Sequence, residues 1–161
     1  MRLWRITTNR HAATAFSGTG SRYAGGRWTP PGRLAVYTAQ HASTAVLEAL
    51  VHMEPAHFGN NFVLIAADLP DETGMEKLAS DDLPADWRSR FEDSELQQVG
   101  SDWLDRAASV ALLVPSAVVP AEHNVILNPE HPDFAAIAVH EPEHYVFDPR
   151  LSNPKPLRRS P

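Results

Sequence analysis

One carboxylate stands out for the company it keeps. In "AVLEALV", residues 45–51, six of seven residues are apolar and the seventh is Glu48, so most of the helix circumference must face protein. A fully buried glutamate is rare unless paired. Alone among aliphatic side chains it favours its neutral form; beside an arginine it stays ionised. Either state suits chemistry, as an acid or as an anion facing developing positive charge. A helix with one wet stripe through Thr44, Glu48 and His52 explains the same residues without chemistry, and the two readings stand level.

The residues before Glu48 are its natural counterpart. Residues 1–47 hold six arginines (Arg2, Arg5, Arg10, Arg22, Arg27, Arg33) and no Asp, Glu or Lys, whereas the remainder carries eight basic residues against twenty acids. Arginine supplies a planar, multidentate fork for phosphate or carboxylate. Taken singly, each arginine is more readily explained by pairing with the acidic remainder; the segment as a whole points to an anionic ligand. "SGTGSRYAGGRW", residues 17–28, is rich in glycine but matches neither the dinucleotide fingerprint nor a P-loop. Its glycines serve close backbone approach or an anion nest, or tight turns alone. Arg27 and Tyr37 share a face if Pro30-Pro31-Gly32 form a three-residue hairpin loop, and lie on opposite faces if the loop has two.

Other patterns carry less. "HEPEH", His140 to His144, fits the H-E-x-x-H zinc pattern formally, but Pro142 forbids the helix that would set both histidines on one face, and the segment reads as a hairpin turn with no metal. Ser116, in "VPSAVVP", lacks the G-x-S-x-G elbow of a hydrolase nucleophile; it fits a turn, or a hydrogen bond to phosphate or ribose. Asn124 and Asn128, in "EHNVILNP", are open in the same way.

The elements that must position these residues follow from periodicity and punctuation. "RLWRIT" reads as a first strand, and "GGRWT" and "RLAVYTA" as a hairpin around "PPG". A helix from Thr44 to about His52 takes Ser43 as its N-cap. "NFVLIAADL", "VALLV", "NVILN", "FAAIAV" and "HYVFD" read as strands, and "SDWLDRAAS" as a short helix capped by Ser101. Residues 68–95 hold ten acids and three basic residues and read as a solvated arm. The expectation is one α+β domain with a curved, mostly antiparallel sheet. A chain of 161 residues suffices for one core but hardly for two. The absence of cysteine excludes disulfides and thiolate chemistry. With no spanning run or signal-peptide core, a cytoplasmic location is expected.

The motifs taken together, "GTGSRYAGGRW", "AVYTA", "LEAL" and "VPSAVVPAEHNVILNPEHPDF", resemble the RES domain, the toxin half of RES–Xre toxin–antitoxin systems. Arg27, Glu48 and Ser116 fall on the arginine, glutamate and serine that name the family, and Tyr37 on its active-site tyrosine. The resemblance implies a RES domain over residues 1–151, followed by a disordered tail at 152–161. It implies an ADP-ribosyltransferase-like split, mostly antiparallel sheet with flanking helices, and NAD⁺ as substrate in its cleft. On that basis Arg27 grips a phosphate, Tyr37 stacks on nicotinamide and Glu48 faces the reacting carbon. Ser116 and Asn124 join the substrate-binding residues, and the backbone of Gly20 and Ser21 adds donors. An Xre-like helix-turn-helix antitoxin is implied as the partner that blocks the active site, with a homodimer within the complex among the assemblies open to it. The expected activity is NAD⁺ cleavage by water or phosphate; the alternative is ADP-ribosylation of a cellular protein. A nucleic-acid-binding or interaction module is a more distant reading, which the acidic remainder and the lack of a basic-aromatic stripe disfavour. Neither nucleic acid nor membrane is an expected contact.

Overall fold

The computed structural model describes residues 1–53 and 61–151. Their frame is an eight-stranded sheet in two halves. One half centres on β1 (Arg2–Thr8), which pairs antiparallel along its whole length with β3 (Phe62–Asp68), from Arg2 opposite Asp68 to Thr8 opposite Phe62. The other half runs β4 (Met75–Lys77), β5 (Ala111–Pro115), β6 (His123–Leu127) and β2 (Val36–Ala39). Every pairing is antiparallel except β4 on β5. The halves meet at one residue pair, Trp4 opposite Ala39. Beyond it β1 and β2 diverge, and the Tyr37 carbonyl, which a continued ladder would occupy, accepts instead from Arg5 Nη1 at 2.7 Å. Polar backbone in a protein interior must find some partner; here a side chain serves and the sheet stays open.

The apolar runs of β5 and β6 face protein on both sides. Ala111, Leu113, Val125 and Leu127 join Leu3, Val36 and Ala67 on one face. Leu112, Val114 and Ile126 join Trp28, Trp87, Leu96 and Trp103 on the other, the alternation a pleated strand imposes. Helix α3 (Ser94–Arg106) covers this second face. Its close approach depends on Gly100, where a Cβ would lie 1.8 Å from the Trp28 carbonyl oxygen.

Several expected elements are corrected. "GGRWT" is not a strand: a short helix α1 (Thr19–Ala24) forms in the glycine-rich loop, and Gly26 N–H bonds to the Thr29 carbonyl at 2.8 Å in a tight turn. The hairpin register therefore does not arise. Helix α2 spans Ala42–Leu50, with His41 rather than Ser43 at the N-cap position. Near that end Glu122 accepts from the hydroxyl of fully buried Thr44 and contacts His41 Nδ1 at 3.1 Å. Because Thr44 is buried, the wet stripe is absent. Asp93, not Ser101, caps α3, its Oδ1 accepting from the N–H groups of Glu95 and Leu96; Ser101 lies mid-helix and donates back to the Gln97 carbonyl.

"FAAIAV" is mostly a 3-10 turn (Pro132–Ala136), followed by the short strand β7 (Ala138–Val139). "HEPEH" is no hairpin. β7 and β8 (Glu143–Tyr145) lie in line along the same edge of β3, and the residues between them form a bulge, a position that tolerates proline at a sheet edge. Residues 68–95 are not a solvated arm either: Leu83 and Trp87 are buried in the second core. The expected tail at 152–161 lies outside the described residues.

Candidate active site

Where the half-sheets part, they enclose a cavity of about 490 Å³. β1 contributes Trp4, Arg5 and Ile6, β2 contributes Tyr37 to Ala39, α2 lays Glu48 across it, and the turn after α2 adds His52. The opposite wall is the turn Gly25–Trp28, and Phe91 and Glu92 form part of the rim.

Glu48 is half-buried and its carboxylate is held asymmetrically. Oε1 accepts from Ser116 Oγ and from Asn124 Nδ2, each at 2.7 Å. Both donors are neutral, and they come from the end of β5 and from β6. Among the described residues, Oε2 has no hydrogen-bond partner. Ser116 is fully buried, and its hydroxyl also accepts from the N–H groups of Val118 at 3.2 Å and Val119 at 2.9 Å. One donor and two acceptor sites are all a hydroxyl has, so Ser116 keeps nothing for a ligand and stands behind the cavity wall. Asn124 lines the cavity, and its Oδ1 is buried without a partner among the described residues.

Two guanidinium groups face this carboxylate's cavity. Arg27 Nη1 donates to the carbonyls of Trp87, at 2.8 Å, and Arg90. Its guanidinium carbon lies 5.8 Å from the Trp87 ring centre and 5.6 Å from that of Phe91. Burial lowers its pKa, the negative charge of Glu48 raises it, and the positive charge of Arg88 lowers it; an arginine remains cationic at neutral pH throughout. Arg5 is more isolated. Its Nε is buried without a partner among the described residues, no carboxylate pairs with it there, and burial lowers its pKa. Burying a charge without a counter-ion is costly, which makes Arg5 a candidate anion-binding group. Sequence reasoning passed over Arg5; the available signal was an arginine inside a strand within an acid-free segment.

Tyr37 is fixed at its tip. Oη contacts Thr29 Oγ1 at 2.9 Å and accepts from Trp28 N–H at 3.3 Å. Burial pushes the phenol up to about 12, against the opposing pull of those hydrogen bonds. Gly26 makes room for it, since a Cβ there would stand 2.8 Å from Oη.

The cavity thus gathers Arg27, Tyr37, Glu48 and Asn124 and adds Arg5, His52, Phe91 and Glu92. Gly20 and Ser21 stay outside the lining. The Ser21 hydroxyl turns to Thr29 Oγ1 at 2.9 Å, so it supports Tyr37 from behind. The zinc pattern supplies no helical pair: His140 bonds to Asp68 Oδ2 at 2.7 Å on the outer edge of the sheet.

A split, mostly antiparallel sheet with an arginine-lined cleft and one carboxylate on a helix across it defines this α+β domain. The chain belongs to the RES domain family, whose profile matches residues 2–148. "Toxin Res" of Photorhabdus laumondii is 43% identical over 134 residues, covering 83% of this chain and 85% of that protein. "Prs ADP-ribosylating toxin" of a Sphingobium species is 34% identical over 152 residues, covering 92% and 94%. In three dimensions the chain is similar to one in the crystal structure of the M. tuberculosis MbcT–MbcA toxin–antitoxin complex. The TM-score is 0.73 at 21% identity, covering 94% of this chain and 86% of that one; at that identity the likeness concerns the fold.

Proposed function

We propose that this chain is the toxin of a toxin–antitoxin pair and acts by cleaving the nicotinamide–ribose bond of NAD⁺. The observation that carries the reading is the asymmetry at Glu48: one oxygen anchored by Ser116 and Asn124, the other without a partner among the described residues, beside a cavity whose cationic walls are Arg5 and Arg27. The diphosphate of NAD⁺ fits the two guanidinium groups, and Tyr37, neutral and fixed, offers its ring to nicotinamide. When the C1′–N bond breaks, its electron pair leaves with nicotinamide, which becomes neutral and needs no strong acid. The ribose carbon left behind has oxocarbenium character, as in other glycosyl transfers. Glu48 stabilises that charge, most effectively where water is excluded, and Oε2 accepts a ribose hydroxyl hydrogen bond. Ser116 is a positioning residue in this reading: it holds Glu48 and does not touch substrate.

The acceptor is water or phosphate, whose oxygen attacks C1′ as the proton it carries passes to solvent. A second reading, transfer of ADP-ribose to a protein, draws on the similarity to the Sphingobium toxin named for that activity. Both share the bond-breaking step. The partner is an Xre-like antitoxin that covers the cleft, a proposal supported by the toxin–antitoxin neighbour. Action in the cytoplasm is part of the same proposal; among the described residues no helix is long and apolar enough to cross a membrane. Mass analysis of purified protein with NAD⁺, with and without phosphate, tests the reading. Rapid nicotinamide release without other protein supports it. Release only in the presence of cell extract moves the assignment to the transferase, and no release in either condition refutes both.

A further inference from the structure

We propose that Arg88 and Arg27 together form a binding site for a phosphate group at the mouth of the cavity. The proposal rests on the NAD⁺ reading only for the origin of that phosphate. Arg88 lies in the acidic segment, residues 68–95, and three observations set it apart from an ordinary surface arginine.

Its orientation is fixed although it is exposed: Nε and Nη2 both donate to the Ala117 carbonyl, at 3.1 Å and 2.8 Å. Free long side chains lose rotamer entropy when held in this way, so a solvated arginine gains little from it. Ala117 itself lines the cavity, which ties the guanidinium to the cavity wall. Second, no carboxylate pairs with Arg88 among the described residues, although its segment is dominated by acids. Arg90, two positions on, is engaged by Asp86, Asp93 and Glu95. Third, Arg88 stands near a like charge: the two carbonyls that hold Arg27 Nη1, those of Trp87 and Arg90, flank Arg88 in the chain. Burial is the main cause of the lowered Arg27 pKa, opposed by Glu48, and Arg88 adds to the lowering. Two neighbouring cations repel, and an oxyanion bound by both relieves that repulsion. Both guanidinium groups retain unused N–H donors, since Arg27 directs only Nη1 at its two carbonyls.

Two sources supply the same chemistry. One is inorganic phosphate as the acceptor. Its oxygen forms a bond to C1′ as the bond to nicotinamide nitrogen breaks, giving ADP-ribose 1″-phosphate and neutral nicotinamide. The other is the diphosphate of the dinucleotide itself.

The experiment uses the full chain as wild type, Arg88→Met and Arg88→Lys. Calorimetric titration with inorganic pyrophosphate and with phosphate is followed by NAD⁺ turnover at varied phosphate. Arg88→Met is expected to weaken pyrophosphate binding about ten-fold, and Arg88→Lys less, because the charge stays while the fork is lost. A raised KM for phosphate then identifies the free acceptor, and a raised KM for NAD⁺ identifies the diphosphate. Pyrophosphate affinity equal in all three proteins overturns the proposal. If wild type binds pyrophosphate through Arg88 and cleaves no NAD⁺, the site stands and the functional reading falls. If it cleaves NAD⁺ and neither KM nor affinity moves, only this site falls. Should Arg88→Met melt at a lower temperature than wild type, Arg88→Lys decides, because it can still reach the Ala117 carbonyl.

Discussion

At the scale of single residues, the proposed site depends on a carboxylate held in place by two donors. Glu48→Gln keeps the shape and loses the charge. Turnover of NAD⁺ should fall about 100-fold or more, the order seen when an electrostatic stabiliser is removed, while ADP-ribose still binds in a calorimetric titration. Ser116→Ala acts differently. It deletes one of the two donors on Oε1 and the acceptor for Val118 and Val119 N–H, so the carboxylate keeps its charge and loses part of its aim. The expected result is a fall of about ten-fold in kcat with KM nearly unchanged, together with a stability loss of about 1–2 kcal/mol for the stranded buried groups. A KM that rises with kcat constant would instead place Ser116 against substrate. Tyr37 offers a prediction readable without substrate. Its phenol ionises near 12 in the folded protein and near 10 when unfolded. Its contribution to stability is therefore complete below pH 10 and lost as the pH rises through 12. Alkaline difference absorbance should show a phenolate step near pH 12 that Tyr37→Phe abolishes.

At the scale of elements, what could be read from the sequence was what is locally determined. β1, β3, β5 and β6 are contiguous apolar or alternating runs, and Glu48 sits on a helix because "AVLEALV" permits little else. The misreadings share one cause, a partner distant in sequence. "GGRWT" has strand composition, yet Gly26 has to clear the Tyr37 ring and Gly100 brings α3 against the Trp28 backbone, so the segment is a wall and not a strand. The α2 start has no side-chain cap; Glu122, far along the chain, instead holds the side chains of His41 and Thr44 there. The acidic segment looked solvated because its charges outnumber the three buried residues, Leu69, Leu83 and Trp87, that anchor it. Gly100→Ala tests the tightest of these contacts. A methyl group 1.8 Å from the Trp28 carbonyl oxygen must push α3 outward, and overpacking of this kind costs about 3 kcal/mol. Urea unfolding should report that loss, and turnover should drop with it because the displaced backbone adjoins Arg27.

At the scale of the whole molecule, four of the six arginines at the start of the chain divide into two groups. Arg2 pairs with Asp68, and Arg33 pairs with Asp105, both away from the cavity, so the ordinary explanation holds for them. Arg5 and Arg27 enter the cavity, where the two half-sheets separate. Arg5 is also one of the few links across that separation, through the Tyr37 carbonyl, so an anion bound there joins the halves of the molecule as well as filling a site. Ligand binding and global stability should therefore be coupled through this one residue. ADP-ribose at about a hundred times its Kd adds about 2.7 kcal/mol, which for a chain of this size raises Tm by roughly 5–10 °C. Arg2→Met should keep that shift, because it removes only an exposed ion pair on the outer edge. Arg5→Met should melt lower than wild type without ligand and lose the shift almost entirely. If ADP-ribose stabilises Arg5→Met as much as wild type, the diphosphate does not lie across the split, and the cleft between the half-sheets is not where the dinucleotide binds.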